Sequence, residues 1–348
     1  MQNILQEIQT FSPRRVGIVG AGLMGMWHAH TVARIGGKIV GVADPVSEQC
    51  QKISQKYGAK KFETAAEMLN GVGIDILHVC TTTSSHEAII QAALQQDVHV
   101  FVEKPLANNL AQTQSLIALA QKNNCALCPV HQYAFQRSIE TILEQRGRAG
   151  AITHVDLQFF SAGGDDAPAT DHAQIAADIL PHPVSILSRL FPEQPMEDLV
   201  WKVEAAARSG WEITTQIDGI IVRISISLRA RPTSAALIVR GDRGSFVADL
   251  FHDYVLFREG TASRRTKMLR PFADALGHLS RASSNIIGRL ARREPAYPGL
   301  QTLTRRFHSA CAGTGTQPIP ANDTIAAARI RDYFLDSVYP ASNPEPDQ

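Results

Sequence analysis

Residues 16–30, VGIVGAGLMGMWHAH, join an apolar run to three glycines, Gly20, Gly22 and Gly25, and then to a helical pattern. The spacing is G-x-G-x-x-G, and a strand before it with a helix after it is the context that gives the motif meaning. Gly20 permits a tight turn, Gly22 lets a backbone approach a pyrophosphate, and Gly25 lets helix and strand pack closely. The start of the helix, at Leu23 and Met24, then offers N–H groups to phosphate oxygens. Asp44 ends the next apolar stretch, 22 residues after Gly22, where a carboxylate binds adenosine ribose hydroxyls. Pro45 follows it, rather than arginine or serine, so a ribose 2′-phosphate would meet an unpaired negative charge. The residues favour NAD over NADP.

Other reactive residue types carry weaker signals. Cys125-x-x-Cys128 has the spacing of half a metal or redox site, but there is no second pair, and the segment reads as a buried strand with no metal. His28 and His30 fall in the helix after the glycines and read as helix-surface histidines, one of them able to touch a phosphate. Asp165, Asp166 and Asp171 sit in a Gly-rich loop, residues 161–172, where they could bind sugar hydroxyls. Residues 258–293 hold nine Lys or Arg and two acids, a local +7 in a chain of net +1. Apolar residues recur there at helical spacing, from Phe272 to Leu290, which predicts an amphipathic helix. That helix reads as an oligomer contact or surface helix, or as a site for an anionic partner such as a nucleotide-diphosphate sugar, a phosphorylated substrate or a lipid surface.

The elements that must position these residues fall into two halves. Strand patterns at 15–19, 38–43, 74–80, 99–102 and 126–130 alternate with helical ones at 23–35, about 44–57, 86–96 and 110–123. That alternation predicts βαβ units and a doubly wound parallel sheet. After about residue 150 the texture changes to strands at 151–160, 200–207, 211–217, 220–229, 235–240 and 245–257. Asp218-Gly219 between two of them signals a two-residue hairpin. A single helix is expected over 173–190, and two more at 299–312 and 323–338, the last capped by Asn322 or Asp323.

Taken with the glycine turn, CTTTSSHEAI at 80–89, VFVEKPLA at 100–107 and ADILPHPVSIL at 177–187 resemble the glucose–fructose oxidoreductase and inositol dehydrogenase family (Gfo/Idh/MocA). The GRAG turn at 147–150 and the GDRGSF turn at 241–246 extend the resemblance over nearly the whole chain. It implies an α/β protein: an N-terminal Rossmann domain over 1–130, then a substrate and oligomerisation domain over 131–340 with an open, mostly antiparallel sheet. The final helix is expected to pack back on the Rossmann domain, and 341–348 to form a disordered tail.

The resemblance also implies roles. Lys104, the lysine of E-K-P, would contact the nicotinamide ribose and the reacting hydroxyl, where an ammonium stabilises developing negative charge. The Lys104–Pro105 bond is often cis in the family. Asp178 and His182 match the family's D-x-G-x-H. His182 would take the hydroxyl proton and Asp178 would hold a neighbouring hydroxyl or orient the base, with both on one helix face at i,i+4. Here Leu180 replaces the usual glycine, Pro181 precedes the histidine, and Ser185 stands where many members carry a second aspartate. Thr81, Thr82, His86 and Glu103 would lie at the cofactor with Lys104, and Gln132 and Tyr133 would follow the fifth strand at the domain junction. No metal is implied.

The expected activity is NAD-dependent transfer of a hydride from a secondary hydroxyl of a sugar, cyclitol or sugar derivative. Two alternatives remain: redox-neutral use of NAD in glycoside hydrolysis or elimination, and non-catalytic regulation through NAD binding. Apolar residues make up 44% of the 348 and charged residues 19%, enough for large cores. Net charge near zero gives no field toward nucleic acid. No apolar run approaches the ~18 residues of a membrane span, and the N-terminus lacks the order of a signal peptide. The five cysteines, an odd number without framework spacing, fit a reducing cytoplasm. A homodimer or homotetramer is expected.

Overall fold

β1 (Arg15–Val19) is apolar on both faces, and Val16, Ile18 and Val19 are buried, as a central strand of a parallel sheet requires. In this computed structural model, which describes residues 14–339 except 166, 207, 261, 262 and 295, β1 has two parallel neighbours. The extreme N-terminus, the 341–348 tail and Asp166 lie outside the described residues. After β1 come α1 (Leu23–Arg34), β2 (Lys38–Ala43), α2 (Ser47–Tyr57), β3 (Lys60–Phe62), α3 (Ala65–Gly71), β4 (Ile76–Val79), α4 (His86–Leu94), β5 (His99–Val102), α5 (Leu110–Lys122) and β6 (Leu127–Pro129). The strands are all parallel, in the order β3-β2-β1-β4-β5-β6. The order reverses between β1 and β4, and at such a switch point the carboxyl ends of the strands open a crevice.

The chain divides into two compact units, residues 1–130 with 300–324, and 131–299 with 325–348. Leu300–Cys311 is the helix that joins the first unit from far along the sequence. Its Phe307 stacks on Phe101 of β5, with centroids 5.1 Å apart and planes 22° from parallel, and both rings are fully buried.

The second unit begins with α6 (Arg137–Gln145) and β7 (Ile152–Phe160). It continues through α7 (His172–Ile179), α8 (Pro181–Leu190), β8 (Lys202–Ala206), β9 (Gly210–Ile217), β10 (Ile220–Ser227), β11 (Ser234–Gly241), β12 (Gly244–Asp249), β13 (Tyr254–Glu259) and α9 (Arg264–Arg292). The Leu300–Cys311 helix is α10, and α11 is Ala321–Val338. The sheet order is β13-β12-β11-β7-β10-β9-β8, antiparallel except where β7 meets β10. Alternate residues such as Val155, Leu157 and Phe159 are buried on one face. The other face carries Asp156, Gln158, Glu212 and Arg223. Asp218 (φ 49°) and Gly219 (φ 79°) form the expected hairpin turn. Among the described residues, no helix is long and apolar enough to cross a membrane.

Several elements differ from the sequence reading. β3 is three residues long and mostly exposed, so it has no apolar run to reveal it. α3 did carry a signal, T-x-x-E: Thr64 Oγ1 accepts from the Glu67 N–H at 3.2 Å. The strand expected over 245–257 is two, β12 and β13, folded back at 250–253. α11 starts at Ala321, so Asn322 and Asp323 lie inside its first turn rather than at its cap. The single helix expected over 173–190 is α7 and α8, broken at Leu180. Pro181 has no N–H to offer the preceding turn and its ring crowds the carbonyl four residues back.

Phe307→Ala would leave a void against Phe101, where truncations of this kind cost about 3–5 kcal/mol. Denaturant unfolding should show the first unit losing stability by that order. A loss below about 1 kcal/mol would mean that α10 is peripheral to the unit.

Candidate functional site

The first unit builds its site from the glycine turn. Gly20 has φ 87°, and its N–H donates to Ala43 O at 2.9 Å. A Cβ on Gly25 would overlap Gly20 O, so only glycine lets α1 lie this close to the end of β1. Gly22 is different: the nearest atom to a Cβ there would be Gln49 Oε1 at 3.6 Å, so the approach to its backbone is open. α1 has no side-chain cap and no acid in its first turn, and Leu23 is largely exposed. The positive end of the helix is therefore presented outward, which suits a pyrophosphate. Asp44 Oδ2 accepts from Ala21 N and Oδ1 from Val46 N, both at 2.8 Å, which fixes the carboxylate beside the turn with lone pairs remaining. Beside it is a cleft of about 450 Å³ lined by Asp44, Pro45, Ser47, Lys60, Lys61 and Glu63. These residues fit a dinucleotide. The two lysines come from β3, which the sequence pattern did not reveal.

Thr81 and Thr82 follow β4, and Glu103 and Lys104 follow β5, at the same edge of the sheet. Thr81 Oγ1 accepts from Ser85 Oγ at 2.8 Å. His86 is buried: its Nε2 faces Thr81 O at 3.1 Å, and its Nδ1 faces Pro105 O and Leu106 O at 3.1 and 3.3 Å. Its ring ties the turn after β4 to the loop after β5. The Lys104–Pro105 peptide is cis, and Lys104 is half-buried.

Glu103 opens onto a row of buried imidazoles that the sequence reading missed. Its Oε1 meets His28 Nε2 at 3.1 Å, His28 Nδ1 meets His78 Nδ1 at 3.0 Å, and His78 Nε2 meets His308 Nε2 at 3.1 Å. His28 was expected on the helix surface, yet it is completely buried. Its helix is flanked on that side by β4 and α10, and no sequence pattern showed α10 returning. With Glu103 accepting as a carboxylate, one tautomer set satisfies the row: His28 donates from Nε2, His78 from Nδ1 and His308 from Nε2. His28 and His78 then each give one hydrogen bond and take one within the row, and His308 gives one at its end. Burial, with the neighbouring His28 and His308, holds His78 well below the ordinary imidazole value. Burial, with Arg14 adding to it, pushes His308 down to about 3.

In the second unit, His182 lies in the first turn of α8, 5% exposed, with its ring edge-on to Tyr133 at 4.7 Å. Asp178 lies on α7, ahead of the break at Leu180, whose backbone stays in the helical region (φ −53°, ψ −35°). Its Oδ1 accepts from Arg331 Nε and Nη2 at 3.1 and 2.9 Å and from Gln174 Nε2 at 3.1 Å. Burial pushes the Tyr133 phenol up, so it stays protonated. Gln132 Oε1 is buried without a hydrogen-bond partner. Both residues line a cavity of about 440 Å³ together with Leu250, His252, Arg289 and Tyr297.

The 161–172 loop is held from below by His172, whose Nε2 faces Gly164 O at 2.9 Å and whose Nδ1 faces Ser209 Oγ at 2.6 Å. Asp165 is bound by Arg231 through both carboxylate oxygens, and Asp171 accepts from Thr170 Oγ1. Cys128 is buried in β6, and burial raises its thiol well above the usual range.

Gly22→Ala should leave the melting temperature in the absence of nucleotide unchanged while weakening NAD binding at least tenfold, because its Cβ has room until a pyrophosphate arrives. Gly25→Ala should lower the melting temperature itself. Equal effects of the two changes on melting would contradict the distinction, and calorimetry with and without NAD measures both.

The imidazole row predicts acid sensitivity. In the unfolded chain these rings take up protons near pH 6.5, whereas folded His308 does so only near 3. The unfolded state binds more protons in that window, so stability falls as pH drops below about 6.5, by up to about 1.4 kcal/mol per pH unit for each such histidine. His308→Gln should flatten the dependence in thermal melts between pH 4.5 and 7.5. An unchanged slope would remove His308 as a source.

Residues 14–131 match the profile of the family described as "Oxidoreductase family, NAD-binding Rossmann fold" (GFO_IDH_MocA). The chain is 27% identical over 167 residues to myo-inositol 2-dehydrogenase of Thermotoga maritima, covering 47% of this chain and 50% of that protein. It is 25% identical over 183 residues to UDP-N-acetylglucosamine 3-dehydrogenase of Acidithiobacillus ferrooxidans, covering 53% and 56%. The chain thus spans about half the length of the curated relatives it matches. In fold it is similar to the WlbA dehydrogenase of Bordetella pertussis, solved in complex with NADH and UDP-GlcNAcA. That match has a TM-score of 0.72 and 16% identity over 98% of this chain and all of that one (100%). Residues 14–131, with their glycine turn, thus match the NAD-binding Rossmann fold of the Gfo/Idh/MocA oxidoreductase family.

Proposed function

We propose that the protein is an NAD-dependent dehydrogenase that oxidises a secondary hydroxyl of a sugar, cyclitol or sugar derivative. The observation that carries this reading is the shared edge of the first unit's sheet. The glycine turn, Asp44, Thr81 and Lys104 all leave the carboxyl ends of adjoining strands there. Asp44 beside Pro45, with no cation directly following, supports NAD over NADP. The relatives named above act on inositol or on UDP-N-acetylglucosamine, and the cavity lined by Gln132, Tyr133, Arg289 and Tyr297 has amide, aromatic and cationic groups that suit a polyhydroxylated ring.

The nicotinamide supplies the hydride acceptor when bound. The chain supplies alignment and proton handling. His182 takes the proton of the reacting hydroxyl, and Tyr133, edge-on to it, fixes the plane of its ring. The Lys104 ammonium stabilises the alkoxide that develops as the carbon–hydrogen bond breaks. Asp178, tied to the nearly buried Arg331, anchors the end of α7 ahead of the histidine rather than taking the proton itself.

A panel of sugars, inositols and nucleotide sugars with NAD, read by nicotinamide absorbance, tests this. A reduced-cofactor signal from wild type that falls at least 100-fold in kcat in His182→Ala, with NAD affinity retained, is the expected result. NAD binding with no reduction by any member of the panel, in wild type and variant alike, would favour a redox-neutral or regulatory role. The tie of Asp178 to Arg331 is the observation that would then gain weight.

A further inference from the structure

α9 is turned the wrong way round for a helix that only covers a sheet. Its polar and small positions face β13. Arg270 Nη2 donates to Glu259 O at 3.0 Å, Asp274 pairs with Arg258 at 3.2 Å, and Gly277 sits against Leu256. His278 meets Tyr254 edge-on at 6.0 Å, and Asn285 donates to His252 O at 2.5 Å. The apolar positions face away from the sheet. Leu269, Phe272, Leu276, Leu279, Ile286 and Leu290 are 59–71% exposed.

These six are not scattered. With Ser283 they step by 3, 4, 3, 4, 3 and 4 residues, the a and d spacing of a coiled-coil seam. At 100° per residue they fall in an arc of about 100° that runs about 32 Å along the helix. Six large side chains exposed to this degree present on the order of 700 Å², beyond the ~300–600 Å² of the largest patch on a typical monomer. That is close to what one partner contributes to a standard interface of about 800 Å² a side.

What covers the seam follows from its flanks. On one side are Ala273, Ser280 and Ile287, on the other Met268, Ala275, Ala282 and Arg289. Apart from Arg289, which bonds to the carbonyls of Glu294 and His252, these are small or apolar residues that let a second helix come close. Three of the helix's arginines are directed elsewhere. Arg270 and Arg289 bond to backbone carbonyls of the β12–β13 region, and Arg292 pairs with Glu294. A helix that lies on an anionic bilayer would instead flank its apolar face with cations, and lipid imposes no 3.5-residue period.

We propose that α9 is a homotypic docking helix, whose 269–290 seam packs against the same seam on a second copy of this chain. A single self-complementary stripe closes on a two-fold axis, which gives a finite assembly rather than a fibre. Ser283 is the one polar residue in the seam and marks its weakest layer.

Sedimentation velocity of the full chain over a concentration series tests this. The variants are Leu276→Gln with Leu279→Gln, Ser283→Leu, and Val200→Gln as an exposed apolar control outside the helix. The double variant should raise the dissociation constant at least 30-fold, or halve the mass of a larger assembly. Ser283→Leu should tighten association about tenfold, and Val200→Gln should match wild type. NAD binding, unchanged in all, reports an intact first unit, and the far-ultraviolet spectrum reports α9. Equal mass for wild type and double variant across the series would overturn the proposal. So would a monomeric wild type that floats with phosphatidylglycerol vesicles through a seam the double variant abolishes.

Discussion

The contact between Gly25 and the carbonyl of Gly20 sets the geometry of the first unit. With no Cβ at residue 25, α1 begins close against the end of β1, and its N-terminal amides are brought to the carboxyl edge of the sheet. A parallel sheet has only one such edge. Once α1 is fixed there, the right-handed crossovers bring the ends of β2, β4 and β5 to the same side. Asp44, Thr81 and Lys104 need no contact with each other to be near neighbours; the strand order β2-β1-β4-β5 is enough. The second unit works by a different rule. Its sheet buries alternate residues on one face, and its helices are placed by breaks such as the one at Pro181 rather than by a shared edge.

The sequence made the first unit readable wherever a local rule applied. Buried parallel strands read as short apolar runs, and the glycine spacing identified its turn. The Asp218-Gly219 pair marked its hairpin because both residues take positive φ. The misses have equally local causes. β3 escaped because a short edge strand need not be apolar, and with it went the two lysines beside Asp44. The break between α7 and α8 is marked in the sequence by Pro181, which has no N–H for the preceding turn.

Long-range burial was the least readable feature. His28 looks like a surface residue on any helical wheel, because its neighbours in sequence say nothing about His308, 280 residues away. Only the return of α10 turns that side of α1 into an interior, and only then do three imidazoles and a carboxylate form a satisfied row. A polar row inside a core has few ways to be satisfied, so it constrains the packing around it more narrowly than leucines would. α9 shows the converse. Its amphipathic period was visible in the sequence, but which face points outward is a matter of what it packs against, and β13 takes the polar one.

The late arrival of α10 also bears on how the protein is made. The first unit is encoded by two segments separated by the whole of the second unit's sheet. During synthesis, β5 and its Phe101 leave the ribosome long before Phe307 does, and at about 5–20 residues per second the interval is on the order of 10–40 s. For that time His78 lacks His308 and Phe101 lacks Phe307, and the nucleotide-binding half waits as an unfinished core. The chain therefore cannot complete its domains in the order in which it writes them. The second unit must be substantially synthesised before the first can close.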